Sequence, residues 1–145
     1  MNILIAVDFS AVTGRIIECL LRFATDPATH RMHLIHVTPP EPAFVGYDAG
    51  PTTLRGQVAH ELRDQHVELQ RHAATLREAG CAVTPLLLQG PTIETVLAEA
   101  DRLEADLLVI GSHGHGAVYD LLVGSVSEGL VRRSRRPVLV VPAAK

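Results

Sequence analysis

Short, wholly apolar runs alternate along the chain with longer stretches in which apolar residues recur every three or four positions. A run of Val, Ile and Leu without a polar face marks a strand buried on both sides, whereas the three-to-four period is one face of a helix. Residues 3–7, 33–37, 82–88, 107–110 and 138–141 are predicted strands. Between them the helical period puts Ile16, Ile17, Leu20, Leu21 and Ala24 on one side of residues 11–24. It puts Val58, Leu62, Leu69, Ala73 and Leu76 on one side of residues 54–79. Gly80 stands where a glycine ends that second helix. Gly90 and Pro91 open the third, with the proline at its first position and Ile93, Val96, Leu97 and Ala100 facing inward. Residues 126–133 form the fourth.

Strands that alternate with helices pair in parallel, and a parallel sheet needs helices on both faces. The expected fold class is therefore α/β: a three-layer α/β/α sandwich around a five-stranded parallel sheet, with residues 1–145 as one domain. Ligands of such sheets lie beyond the carboxyl ends of the strands, where the strand order reverses. Asp8 follows the first predicted strand and Gly111 the fourth, so an order of 3-2-1-4-5 makes them neighbours at that point. The long connection 38–53 carries four of the nine prolines and leaves the second strand on the same edge. It is either a lid or a surface excursion.

Composition narrows this picture without redirecting it. The 145 residues suffice for a buried core, and 47% hydrophobic with 20% charged is a globular balance. A net charge of −3 disfavours general nucleic-acid binding, which wants a basic excess. Cys19 and Cys81 lie in apolar-patterned segments without the CxxC spacing of redox or zinc sites, as two small buried hydrophobes in a reducing compartment. The first apolar run is too short for a signal peptide or membrane span and lacks a basic flank, so the expected location is cytoplasmic.

Candidate chemistry concentrates in residues 111–127, GSHGHGAVYDLLVGSVS. Glycine lets backbone N–H groups turn toward a ligand, and a helix N-terminus carries partial positive charge. A glycine-rich strand-to-helix connection therefore suits an anion such as the phosphates of a nucleotide, although turn punctuation alone would also place glycines there. No G-x4-G-K-[ST] loop occurs, since the only lysine is Lys145, and no G-x-G-x-x-G follows the first strand. Ser125, Val126, Ser127 and Glu128 match a capping box, with serine at the cap and glutamate three residues on. The amides of Val126 and Ser127 and both serine hydroxyls could also meet a phosphate, in charge-assisted bonds of about 1.5–3 kcal/mol each. His113 and His115 make at most half a metal-ligand set. His60, His66 and His72 read as polar-face residues of the long helix. Arg132, Arg133, Arg135 and Arg136 read as a cationic cap suited to a helix C-terminus.

The spacing G-x2-G-x9-G-[ST], here Gly111, Gly114, Gly124 and Ser125, resembles the nucleotide-binding motif of the universal stress protein family. ILIAVDFS at residues 3–10 is similar to that family's first strand and Asp-x-Ser turn, HVTP at 36–39 to its second strand, and PVLVV at 137–141 to its last. The resemblance covers essentially the whole chain. It implies the sheet order 3-2-1-4-5 of adenine nucleotide alpha hydrolase-like folds, binding of ATP (or ADP or AMP), and a stress-response or signalling role. Carried over by residue, it puts adenine and ribose near Ala6, Asp8 and Val37. The phosphates would lie along Gly111, Ser112, His113, Gly114, His115 and Gly116, and along Gly124, Ser125, Val126 and Ser127. Asp8 would hold ribose hydroxyls or a phosphate-bound Mg²⁺. The resemblance further implies a homodimer through Val138, Leu139, Val140 and Val141, an edge strand that needs covering. His115 stands where many members carry arginine; a neutral imidazole offsets less phosphate charge, so the expectation is either a lower affinity or one tied to pH. Two rival classes stay open. One is a slow ATP hydrolase, for which Asp8 and His113 are the only candidate bases and no lysine stabilises a leaving phosphate. The other is an interaction module with a vestigial pocket.

Overall fold

Each apolar run becomes a strand: β1 (Asn2–Ala6), β2 (Arg31–Thr38), β3 (Ala82–Gln89), β4 (Leu107–Gly111) and β5 (Val138–Val141). The periodic stretches become α1 (Ala11–Phe23), α2 (Pro51–Glu78), α3 (Thr92–Arg102) and α4 (Ser125–Arg133). The computed structural model describes residues 1–23, 29–40, 51–112 and 124–143, the side chains of 51–55 excepted. The strands pair in parallel in the order β3-β2-β1-β4-β5.

Adjacent residues of β1 show why the runs lack a polar face. Leu4 and Ile5 are both 0% exposed, although successive strand side chains point to opposite sides of a sheet. One core therefore forms on each side. Ile3, Ile5, Met32 and Leu34 meet Ile16, Ile17 and Leu20 of α1 and Leu69, Ala73 and Leu76 of α2. Leu4, Ile35, Leu108 and Ile110 meet Val96 and Ala100 of α3 and Leu130 of α4. Each fully buried Leu or Ile contributes about 1.5–3 kcal/mol.

Helix ends differ from the periodic pattern by one to three residues. α2 starts at Pro51, which suits a first helical position, so the expected 38–53 connection is shorter. Residues 41–50, and with them the expected lid, lie outside the described residues. Its far end is as anticipated: Gly80, at φ 89°, donates to the Arg77 carbonyl at 2.8 Å while Cys81 donates to Leu76 at 3.1 Å. Those two bonds and the buried Leu76 and Cys81 make a Schellman stop. Pro91 is the cap of α3 rather than its first residue. Its carbonyl accepts the Thr95 N–H at 2.9 Å while its own ψ of 121° is still extended.

The two outer strands present their free edges differently. Val7 donates to Ile35 and Gly90 donates to Thr38, so odd residues of β2 face β1 and even residues face β3. By alternation, Val83, Pro85, Leu87 and Gln89 of β3 point away from the sheet. Pro85 has no N–H to offer there, and the Arg77 guanidinium covers the Val83 carbonyl with bonds of 3.2 and 2.7 Å. This edge is blunted. On β5, Pro137 and Val141 bond to β4, which leaves Val138 and Val140 pointing outward between them. Nothing comparable guards them among the described residues.

Candidate functional site

Past Val7 the chain turns sharply. Asp8 Oδ1 accepts the Ser10 N–H at 3.0 Å and the Ser10 hydroxyl at 2.6 Å, the side-chain bonding of an Asx turn. Between them Phe9 sits at φ 61°, a left-handed conformation uncommon for a bulky residue. Its ring is held from two elements: the His36 ring of β2 lies 4.2 Å away, and the His72 ring of α2 stacks at 6.3 Å. His36 is oriented in turn by donating Nδ1–H to the Val7 carbonyl at 2.8 Å. Thr38 donates to Gln65 Oε1 at 2.7 Å and ties the end of β2 to α2. The backbone carrying Asp8 is thus set by packing beneath it.

His72 is therefore not a polar-face residue, as the helical pattern suggested. Its side chain is only 12% exposed, because it borders the Leu69–Ala73–Leu76 stripe and Phe9 covers it. Burial and the nearby Arg71 push its pKa down; Glu68, 3.2 Å away, opposes them. Sequence reasoning missed the Phe9–His36–His72 stack. The only signal was a large aromatic directly after Asp8.

Ala6 and Val37 flank the gap left where β1 departs. Pairing of β1 with β2 ends at Ala6 opposite Ile35, followed by the Val7–Ile35 bond. Val37 shares the orientation of Ile35, so its N–H and C=O point toward β1 after β1 has turned away. Its side chain is buried in the second core. What Val37 offers a ligand is a backbone donor and acceptor side by side.

On the other side of β1, Ile5 pairs with Val109, and extending that register sets Val7 opposite Gly111. The Gly111 carbonyl accepts the Ser127 hydroxyl at 2.7 Å, and the Ser112 carbonyl accepts the Gly124 N–H at 2.7 Å. These two bonds join the end of β4 to the start of α4. His113, Gly114, His115 and Gly116 fall between them, outside the described residues. The capping box does not form. The first helical bond runs from Glu128 N–H to the Gly124 carbonyl, so Gly124 is the cap and Ser125 is already inside the helix. Glu128 pairs with Arg132 instead, at 2.9 Å. The amides of Ser125, Val126 and Ser127 have no acceptor within α4, as in any first turn, and Ser125 and Val126 are exposed. The Ser127 hydroxyl is not available to donate to a phosphate, because its proton is directed at Gly111 and the residue is 8% exposed.

The fold thus brings Ala6, Asp8, Val37, Gly111, Gly124, Ser125 and Val126 to one edge, at the reversal of strand order, and turns Ser112 and Ser127 inward. Among the described residues no group of three His, Cys, Asp or Glu is placed to hold a metal. The basic cluster is largely paired: Arg132 with Glu128, Arg133 with Glu94 at 2.6 Å and Arg136 with Asp101 at 3.4 Å.

The universal stress protein family model matches residues 1–142. The chain belongs to that family. Among relatives of this universal stress protein, one from Thermus aquaticus is 33% identical over 77% of each chain. Universal stress protein MJ0577 of Methanocaldococcus jannaschii is 27% identical over 61% of this chain, a match spanning about half, 52%, of that protein's length. The solved MJ0577 structure superimposes with a TM-score of 0.84 at 23% identity, covering 99% of this chain and 96% of the other. A universal stress protein from Archaeoglobus fulgidus in complex with dAMP has a TM-score of 0.69 at 19% identity, with 97% of both chains covered. No helix of the described residues is long and apolar enough to cross a membrane.

Proposed function

We propose that this universal stress protein binds an adenine nucleotide, ATP in the first instance, across the carboxyl edge of its sheet. It then acts as a single-domain, homodimeric stress-response or signalling protein of the cytoplasm. The observation that carries the reading is the juxtaposition of two complementary walls on one edge. Val37 offers an N–H and a C=O in line, which suits the adjacent acceptor and donor on the edge of adenine. The first turn of α4 offers amides and a positive dipole end to phosphates. Asp8, fixed by Ser10, lies where ribose hydroxyls or a phosphate-bound Mg²⁺ would meet a carboxylate. The dAMP complex of the Archaeoglobus relative supports the adenine class. The open β5 edge, set against the blunted β3 edge, supports pairing through Val138, Leu139, Val140 and Val141.

Titration with ATP of the native chain against the double variant Gly114→Val, Ser125→Ala tests the site. A branched side chain in the glycine segment and the lost hydroxyl are expected to weaken binding by about tenfold or more. Equal affinity of the two proteins overturns the assignment. Mass spectrometry of the nucleotide that copurifies distinguishes ATP from ADP and AMP.

A further inference from the structure

Ser112 directs its N–H, its carbonyl and a lone pair of its hydroxyl at two segments. Its N–H donates to the Val141 carbonyl at 2.8 Å, and its Oγ accepts the Ala143 N–H at 3.0 Å. Its carbonyl accepts the Gly124 N–H at 2.7 Å. The residue is 4% exposed, so these partners replace water. Two of the bonds hold the chain as it leaves β5, and the third holds the cap of α4. Pro142, between Val141 and Ala143, has no N–H. The Ala143–Ser112 bond is therefore the first donor contact available to the chain past the strand.

We propose that Ser112 is a positioning residue that couples occupancy of the nucleotide cradle to the chain leaving β5. The inference rests on the nucleotide reading above and goes beyond it, since it gives Ser112 a role exerted through Gly124 and Ala143. A phosphate held by the first turn of α4 fixes Gly124, Gly124 fixes the Ser112 carbonyl, and the same residue fixes Val141 and Ala143. Binding free energies are reciprocal: if nucleotide strengthens the Ala143–Ser112 bond, losing that bond weakens nucleotide binding by the same factor. The nucleotide would thus become legible at the open sheet edge, on the far side of β4 from β1 and Asp8.

A double-mutant cycle read by ATP titration tests this. Ala143→Pro removes the donor without touching the site, and ending the chain at Pro142 does the same by another route. Either is expected to weaken ATP binding about three- to tenfold. Ser112→Ala should weaken it by the same factor, with no further loss when the two changes are combined, and Ser112→Thr should retain native affinity. Amide exchange at Ala143 should slow on adding ATP to the native protein. Native affinity in both Ala143 variants, or multiplying effects in the double variant, overturns the coupling. So does a loss in Ser112→Ala far larger than in Ala143→Pro, which would place Ser112 against the phosphate itself. Failure of the native chain to bind ATP, ADP or AMP overturns the nucleotide reading as well, and so is told apart from failure of the coupling alone.

Discussion

Ser125 and Ser127 read alike in the sequence, two hydroxyls two positions apart after a glycine, and the fold separates them. Ser125 faces solvent in the first turn of α4, whereas Ser127 donates into the end of β4. Ser127→Ala is expected to cost about 0.5–1.5 kcal/mol of stability, measured by urea unfolding, because the Gly111 carbonyl loses its partner. Ser125→Ala should leave unfolding unchanged and weaken ATP binding. The reverse pattern would overturn this assignment of the two hydroxyls. His72 supplies a second residue-scale prediction. Its folded pKa lies below the ordinary 6.5, so just below pH 6.5 the unfolded chain takes up a proton that the folded chain resists. Its contribution is full above that value and is lost as pH falls through the folded pKa. His33, lowered by burial and by Arg102, acts in the same direction. Urea midpoints should therefore drop between about pH 7 and about pH 5, and less steeply in His72→Gln. An unchanged slope in that variant would remove His72 from the account.

Among the elements, α4 matters most, since its first turn is one wall of the candidate site, and its position is set by α3. A Cβ on Gly129 would fall 2.4 Å from Ile93 Cδ1, so a larger residue there fits between the two helices only if the end of the Ile93 side chain shifts. The Arg133–Glu94 pair spans the same helices but is exposed at both ends and contributes little. Gly129→Ala gains about 1 kcal/mol of helix propensity and loses about 1–3 kcal/mol to overpacking. A modest net destabilisation is expected, relieved by adding Ile93→Val, although that change alone normally destabilises. Thermal unfolding of the three variants checks the order.

The strands and the identity of each helix were legible because a strand covered on both faces must be apolar throughout, as Leu4 and Ile5 are. Helix starts were less legible. Where α3 and α4 begin depends on which carbonyl accepts the first helical bond, and Pro91 and Gly124 each differ from expectation by one residue. The glycine segment pointed to the edge where the candidate site lies. The inward turn of Ser127, the bonds of Ser112 and the covering of His72 depend on contacts between residues far apart in sequence, which no local pattern encodes.

At the scale of the whole molecule the sheet edges make the sharpest prediction. Val140→Pro deletes only an outward N–H and leaves the β4–β5 ladder intact, as Pro85 does natively on β3. The variant should stay folded by circular dichroism and sediment as a monomer, against the dimer expected of the native chain. A dimer that survives the change would move the interface away from β5. The inequality of the edges also bears on where association stops. A subunit joined by strand addition at β5 leaves only the β3 edges outermost, each stoppered by Pro85 and Arg77. Growth would have nowhere to continue, so such a pair would be a terminus and not the first step of a fibre.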